Sequence, residues 1–227
     1  ESGMLLMFRV AMSSSICLSR WRKASGTSTH PLPSPHPQSC RSPPALRRGY
    51  EVLIHKPLEL SLIEEVCSIL RGQPASFRSQ DEQVYIGNPD TGAINYTPPR
   101  GGRPLLDKLK NLEAFLLAVD GADPLIRMAI AHYQFEAIHP FADGNGRSGR
   151  ILNILYLLHA RLLRIPVLYL SRYIIQNKAD YYRLLRGVTE AGEWELWLLY
   201  MLRGIEETAN WTTNRIQAIR DLFDVPV

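Results

Sequence analysis

The run Ser148-Gly-Arg-Ile-Leu-Asn-Ile-Leu-Tyr-Leu-Leu-His-Ala-Arg-Leu-Leu163 is apolar on nearly every helical face. A helix that hides its whole circumference belongs in the middle of a fold, so this run predicts the central, buried helix of a domain. Asn153, His159 and Arg161 interrupt it, which makes it too short and too polar for a membrane span. Upstream, Asp123-Pro124 is an N-cap followed by proline at the first helical position, and it opens a helix to about Ile138. Leu105 to Val119 is amphipathic and ends near Gly121, while Leu58 to Leu70 has helical spacing stopped by Gly72 and Pro74. Further helices fit Ser171 to Arg186, Trp194 to Glu207 and Trp211 to Phe223. The convincing β element is a pair of short runs, Gln83–Gly87 and Ala93–Thr97, around Asn88-Pro-Asp-Thr-Gly92 and closed by Pro98-Pro99. The expected fold class is all-α, a helical bundle carrying a single β-hairpin.

The amino-terminal part has a different texture. Met4 to Ile16 is mostly apolar and reads as a short helix within residues 1–23; a secretory signal fits it poorly, because no basic region precedes the apolar stretch. Residues 24–44 are rich in Ser, Thr and Pro, which removes backbone donors and predicts an extended linker. The folded domain is expected over 45–207, with a C-terminal helix over 208–227. A chain of 227 residues suits one such domain. Seven Lys/Arg against Glu1 give residues 1–50 a charge of +6, so the total of +4 leaves −2 on the remainder. That balance argues against a broad nucleic-acid-binding surface on the domain, and no membrane partner is expected. Cys17, Cys40 and Cys67 are widely spaced, without a CxxC pair, which fits a reducing, cytoplasmic location rather than a disulfide framework or zinc site.

The chemistry is concentrated in His139-Pro-Phe-Ala-Asp143-Gly-Asn-Gly-Arg147-Ser-Gly-Arg150, between two long helical segments. Its glycines free the backbone to point N–H groups inward as an anion nest, beside the N-terminus of the buried helix. Arg147 and Arg150 add two guanidinium forks suited to phosphate oxygens. Asp143 is a hard oxygen ligand for Mg2+ when phosphates supply the remaining ligands. His139 is the side chain here with an ordinary pKa near neutrality, hence the natural proton acceptor. Singly, each of these residues reads as ordinary loop, cap or surface; it is the combination that points to a phosphate site. Four better-known motifs fail the test. Gly144, Gly146 and Gly149 satisfy GxGxxG, but a helix precedes them and Tyr169 lies where a Rossmann acid is needed. No kinase VAIK or HRD sequence is present, and Arg150-Ile151 replaces the Lys-Ser/Thr of a Walker A loop. Aligned on Gly146, a calcium loop would need ligands from Phe141 and Leu152.

The same twelve residues resemble the HxFx(D/E)GNGRxxR signature of Fic-domain proteins, with every fixed position filled. The resemblance extends through Phe77-Arg78, Val84-Tyr85-Ile86-Gly87, Tyr96–Pro99, His132–Ile138, Tyr181-Tyr182 and Trp194-x-x-Trp197, about residues 45–207. It implies a Fic-type bundle with the hairpin as a flap, and adenylyl transfer from ATP, with Mg2+, to a Ser, Thr or Tyr hydroxyl of a target protein. On that likeness His139 is the base and Asp143 holds Mg2+. Gly144, Asn145, Gly146, Arg147 and Arg150 bind the phosphates, Tyr181 and Tyr182 line the adenine side, and Val84, Tyr85, Ile86 and Gly87 dock the target segment. A homodimer fits the likeness too. Alternatives are transfer of another phosphate-containing group on the same fold, or a non-catalytic nucleotide-binding regulator. Many Fic proteins carry an inhibitory helix with a glutamate after Ser-Ser-x-Ile; here Ser13-Ser-Ser-Ile16 is followed by Cys17, so a degenerate inhibitory segment is expected. Some relatives add a C-terminal winged helix, which this chain is expected to lack.

Overall fold

The computed structural model describes residues 41–87 and 92–223. The expected helix at Met4 to Ile16, the Ser13–Cys17 motif, nearly all of the 24–44 linker and the hairpin turn at Asn88–Thr91 lie outside the described residues. Eight helices and one two-stranded sheet occur among the described residues. In chain order they are α1 (Ser42–Leu53), α2 (Leu60–Arg71), β1 (Ile86–Gly87), β2 (Ile94–Tyr96), α3 (Arg103–Leu117), α4 (Pro124–Ile138), α5 (Asn145–His159), α6 (Leu170–Gln176), α7 (Lys178–Ala191) and α8 (Trp194–Phe223).

Helix α5 is the hub. Ile151, Leu152, Ile154, Leu155, Tyr156 and Leu157 are all buried, on successive faces, against α1, α2 and α4. Helix α3 packs along α4, and α8 closes the other side through Trp197, which is fully buried and donates Nε1–H to the Ala129 carbonyl of α4 at 2.9 Å. Asp123 caps α4 as expected, its carboxylate accepting from Leu125 N–H and Ile126 N–H at 2.8 and 3.2 Å.

Several boundaries differ from the sequence reading, each for a physical reason. The linker ends earlier than residue 44: α1 already starts at Ser42, because Pro43 and Pro44 occupy the first turn, where proline loses no hydrogen bond. Helix α5 starts at Asn145 rather than Ser148. It ends at His159 rather than Leu163, where Arg161 takes a left-handed φ of 59° and Leu157 O accepts from Leu162 N–H and Leu163 N–H. The stretch 171–186 is broken in two at Asn177, which leaves helical dihedrals (φ −115°, ψ 38°) while its N–H and its side chain both donate to Tyr173 O, at 2.9 and 3.0 Å. The last two expected helices are one: α8 runs without a break past Glu207, with Thr208 buried and no proline in the segment. The strands are shorter than expected, antiparallel, with Ile86 opposite Tyr96 and Gly87 opposite Ile94.

Candidate active site

The loop from His139 to Gly144 joins α4 to α5. His139 ends α4 in the left-handed region (φ 50°, ψ 61°), an uncommon and strained state for a residue with a side chain. Its N–H donates to Phe135 O at 2.9 Å and its carbonyl accepts from Arg78 Nε at 2.9 Å. The imidazole is partly exposed, but Nδ1 is sealed from solvent with no hydrogen-bond partner among the described residues. Proton exchange with a substrate therefore falls to Nε2. Burial pushes the imidazole pKa down, and the Arg78 cation adds to that; the Glu136 main chain and the Asp143 carboxylate pull the other way. The ring is thereby neutral near pH 7, the form a base needs.

Phe141 is fully buried with its ring 5.3 Å from that of Phe77, which anchors the middle of the loop. The Asn145 side chain clamps it: Oδ1 accepts from Phe141 N–H at 2.8 Å and Nδ2 donates to Phe141 O at 2.7 Å. With Asn145 only 2% exposed, this side chain is spent on the loop, and what it can offer a phosphate is its backbone N–H. Gly144 sits at φ 93° as N-cap of α5, and a Cβ there would lie 3.3 Å from Cys67 Sγ. Among the described residues no side chain caps α5, so its first N–H groups face the loop together with the positive end of the helix dipole.

Around this N-terminus stand the charged groups. Arg147 lies 3.7 Å from the largely exposed Asp143 carboxylate and donates Nη1–H to Leu70 O, at the end of α2, at 3.2 Å. Arg150 donates Nε–H to Ser171 Oγ at 3.1 Å, a partner from α6 that no local pattern signals. Glu136, one turn before His139, brings a carboxyl into the same corner: a Cβ on Gly149 would meet its Oε1 at 2.8 Å. That Oε1 is buried without a partner among the described residues, and burial pushes the carboxyl pKa up to about 7, with Arg150 pulling it down. Glu136 was legible in sequence only as an acid a helical turn from His139. Among the described residues no three His, Cys, Asp or Glu side chains gather into a metal cage. Asp143 alone is a donor set that fits Mg2+, which is commonly held by one or two carboxylates plus substrate phosphates.

The two tyrosines expected on the adenine side part company. Tyr181 is a core residue, 4% exposed, its hydroxyl 2.9 Å from His132 Nε2 and its ring packed near Trp197 and Tyr200. Tyr182 is 54% exposed, with the Lys178 ammonium 5.8 Å from its ring centre. The reason is helical geometry: adjacent residues of α7 point to different faces. On the hairpin, Val84 and Ile86 are half-buried, while Tyr85 and Gly87 face outward beside exposed Ile94. The Tyr96 hydroxyl donates to Ala137 O at 2.9 Å, which seats the hairpin on the last turn of α4, next to His139.

The Fic/DOC family profile matches residues 57–157, which takes in α2, the hairpin, α3, α4, the loop and most of α5. That is 101 of the 227 residues, so it is residues 57–157 that carry the likeness to the Fic/DOC family. Protein adenylyltransferase fic-1 of Caenorhabditis elegans is 30% identical over 131 residues, 57% of this chain and 23% of that protein. A probable protein adenylyltransferase of Aquifex aeolicus is 33% identical over 101 residues, 44% of this chain and 29% of that one. The chain thus spans between a fifth and a third of the length of these curated relatives. The fold is that of solved Fic structures. A Fic family protein from Desulfovibrio desulfuricans G20 superimposes with a TM-score of 0.64 at 21% identity, covering 97% of this chain and 65% of that one. A segment of Fic-1 from C. elegans gives 0.59 at 22% identity, covering 96% and 64%. Among the described residues no helix is long and apolar enough to cross a membrane.

Proposed function

We propose that this Fic domain is a protein adenylyltransferase, moving AMP from ATP to a hydroxyl side chain of a target protein. The observation that carries this reading is the meeting, in one loop, of an imidazole kept neutral by burial with an uncapped helix N-terminus flanked by two arginines. The names of the relatives support it.

In this reading the hydroxyl of the target gives its proton to His139 Nε2 as its oxygen attacks the α-phosphorus of ATP, and pyrophosphate leaves. The amides of Gly144, Asn145 and Gly146 hold α- and β-phosphate oxygens, and Arg147 and Arg150 neutralise charge toward the β- and γ-phosphates. Asp143 would hold Mg2+, which when bound supplies charge neutralisation to the phosphates. Exposed Tyr182 is the ring available for the adenine side; Tyr181 acts only as the core residue behind it. The hairpin, with Tyr85 and Ile94 about 60% and 59% exposed, receives the target segment by strand addition. As in phosphoryl transfer generally, positioning and charge stabilisation carry the chemistry.

Incubation with α-labelled ATP and Mg2+ in a lysate, with His139→Ala as control, tests it. Label is expected on protein with the wild type and not with the variant, which should still bind ATP. A modified protein carrying a phosphate mass instead of an adenylyl mass would make this another transferase on the same fold. ATP binding without any transfer would make it a nucleotide-binding regulator.

A further inference from the structure

Arg78 is 2% exposed, and every polar group of the residue is engaged. Its N–H donates to Pro140 O at 2.9 Å and its carbonyl accepts from Gly102 N–H at 2.9 Å. Its guanidinium donates Nε–H to His139 O (2.9 Å), Nη1–H to Glu82 O (2.9 Å), and Nη2–H to both Pro99 O (2.8 Å) and Ile138 O (3.2 Å). These partners divide into two groups. Ile138, His139 and Pro140 form the end of α4 and the start of the loop; Glu82, Pro99 and Gly102 form the two stems of the hairpin. From this geometry we infer that Arg78 is a positioning residue coupling the seating of a segment on the hairpin to the orientation of the His139 imidazole. The inference rests on the adenylyl-transfer reading, in which hairpin and imidazole serve one reaction.

A buried charge is costly unless it is paired, and among the described residues Arg78 has no carboxylate within ion-pair distance: the Glu82 carboxylate, whose charge still favours the cation, accepts from Ser79 N–H at 2.7 Å. Burial lowers the guanidinium pKa, yet a guanidinium stays protonated in proteins, so the charge is retained. What it meets are carbonyls that would otherwise be orphans. Ile138 O and His139 O lie past the last helical bond of α4, where His139 has left the helical region. A rigid planar fork can serve several acceptors at once; a lysine ammonium could not span them. The same cation faces the imidazole from the segment before the hairpin, while Asp143 faces it from the loop and the Glu136 main chain from α4. Movement of the hairpin stems therefore reaches His139 by two routes, the shared hydrogen bonds and the field of one charge.

The test compares Arg78→Gln, which removes charge and fork, with Arg78→Lys, which keeps the charge alone. Tyr96→Phe, which cuts the separate hairpin tether to Ala137, is the control. In Arg78→Gln the imidazole pKa of His139, read by NMR, should rise, and the amides of Ile86, Gly87 and Ile94 to Tyr96 should exchange faster. In Arg78→Lys the amides should exchange faster with the imidazole titration close to wild type. Tyr96→Phe should loosen the hairpin and leave the titration unmoved. Labelled-AMP transfer at saturating ATP should fall roughly 100-fold in Arg78→Gln, with its acid limb moved to higher pH and the KM for ATP unchanged. If the wild type transfers no label, the adenylyl-transfer reading fails, while titration and exchange still judge the coupling. Wild-type titration and wild-type hairpin exchange in both Arg78 variants would overturn it. So would failure of both to fold, which would make Arg78 a purely structural residue.

Discussion

Replacing Asn145 separates two roles that its position in the loop leaves open: phosphate ligand, or clamp. Its amide makes two short bonds to the backbone of one residue, Phe141, which is itself fully buried. Asn145→Ala would strand a buried N–H and a buried C=O, each costing about 1–3 kcal/mol, so the fold should lose roughly 2–6 kcal/mol. For a domain of this size that is a drop in Tm of about 4–24 °C. Asn145→Asp is the informative partner. Its carboxylate can still accept from Phe141 N–H but sets an anion against Phe141 O, so it should be destabilised near neutral pH. It should recover as acid protonates the carboxyl and restores a donor. Urea unfolding of the three proteins at neutral and mildly acidic pH reads this directly, alongside ATP binding. Near-wild-type stability of Asn145→Ala, with ATP binding lost, would refute the clamp and make the side chain a phosphate contact.

Two further outcomes follow from the same corner. Gly144→Ala places a side chain at φ 93° and a Cβ 3.3 Å from Cys67 Sγ; it should cost about 1–3 kcal/mol and weaken ATP binding, checked by calorimetry. Stability against pH should reveal two opposed buried groups. Burial chiefly holds the His132 pKa down, from 6.5 to about 3, so the unfolded chain takes up a proton that the folded one refuses, and stability falls as pH drops below 6.5. Glu136 is raised from 4.5 to about 7, so the folded chain keeps a proton that the unfolded one releases, and stability falls as pH rises above 4.5. Between pH 4.5 and 6.5 the two nearly cancel. Glu136→Gln removes one of them and should leave stability rising with pH, by up to about 1.4 kcal/mol per unit relative to wild type. Urea midpoints that run parallel for the two proteins across this window would contradict it.

Much of this molecule is legible locally. The all-round apolar run at 148–163 announces a central helix because burial on every side demands it, and Asp123-Pro124 announces a helix start because cap chemistry is carried by those two side chains. The loop residues His139, Asp143, Arg147 and Arg150 could be read as a group because their chemistry lies in the side chains and their spacing is short. Tertiary structure alone decided the rest. It turned Tyr181 into the core and left Tyr182 outside, spent the Asn145 amide on Phe141, and ended α5 at His159 with Arg161 rather than a glycine in the left-handed region beyond it. It also gave Arg150 its serine and Arg78 its carbonyls. The physical reason is common to these cases: the partner is a surface formed by distant helices, a side chain remote in sequence such as Ser171, or a main-chain group. Every residue has a carbonyl, so no side-chain pattern marks which one a distant arginine will find.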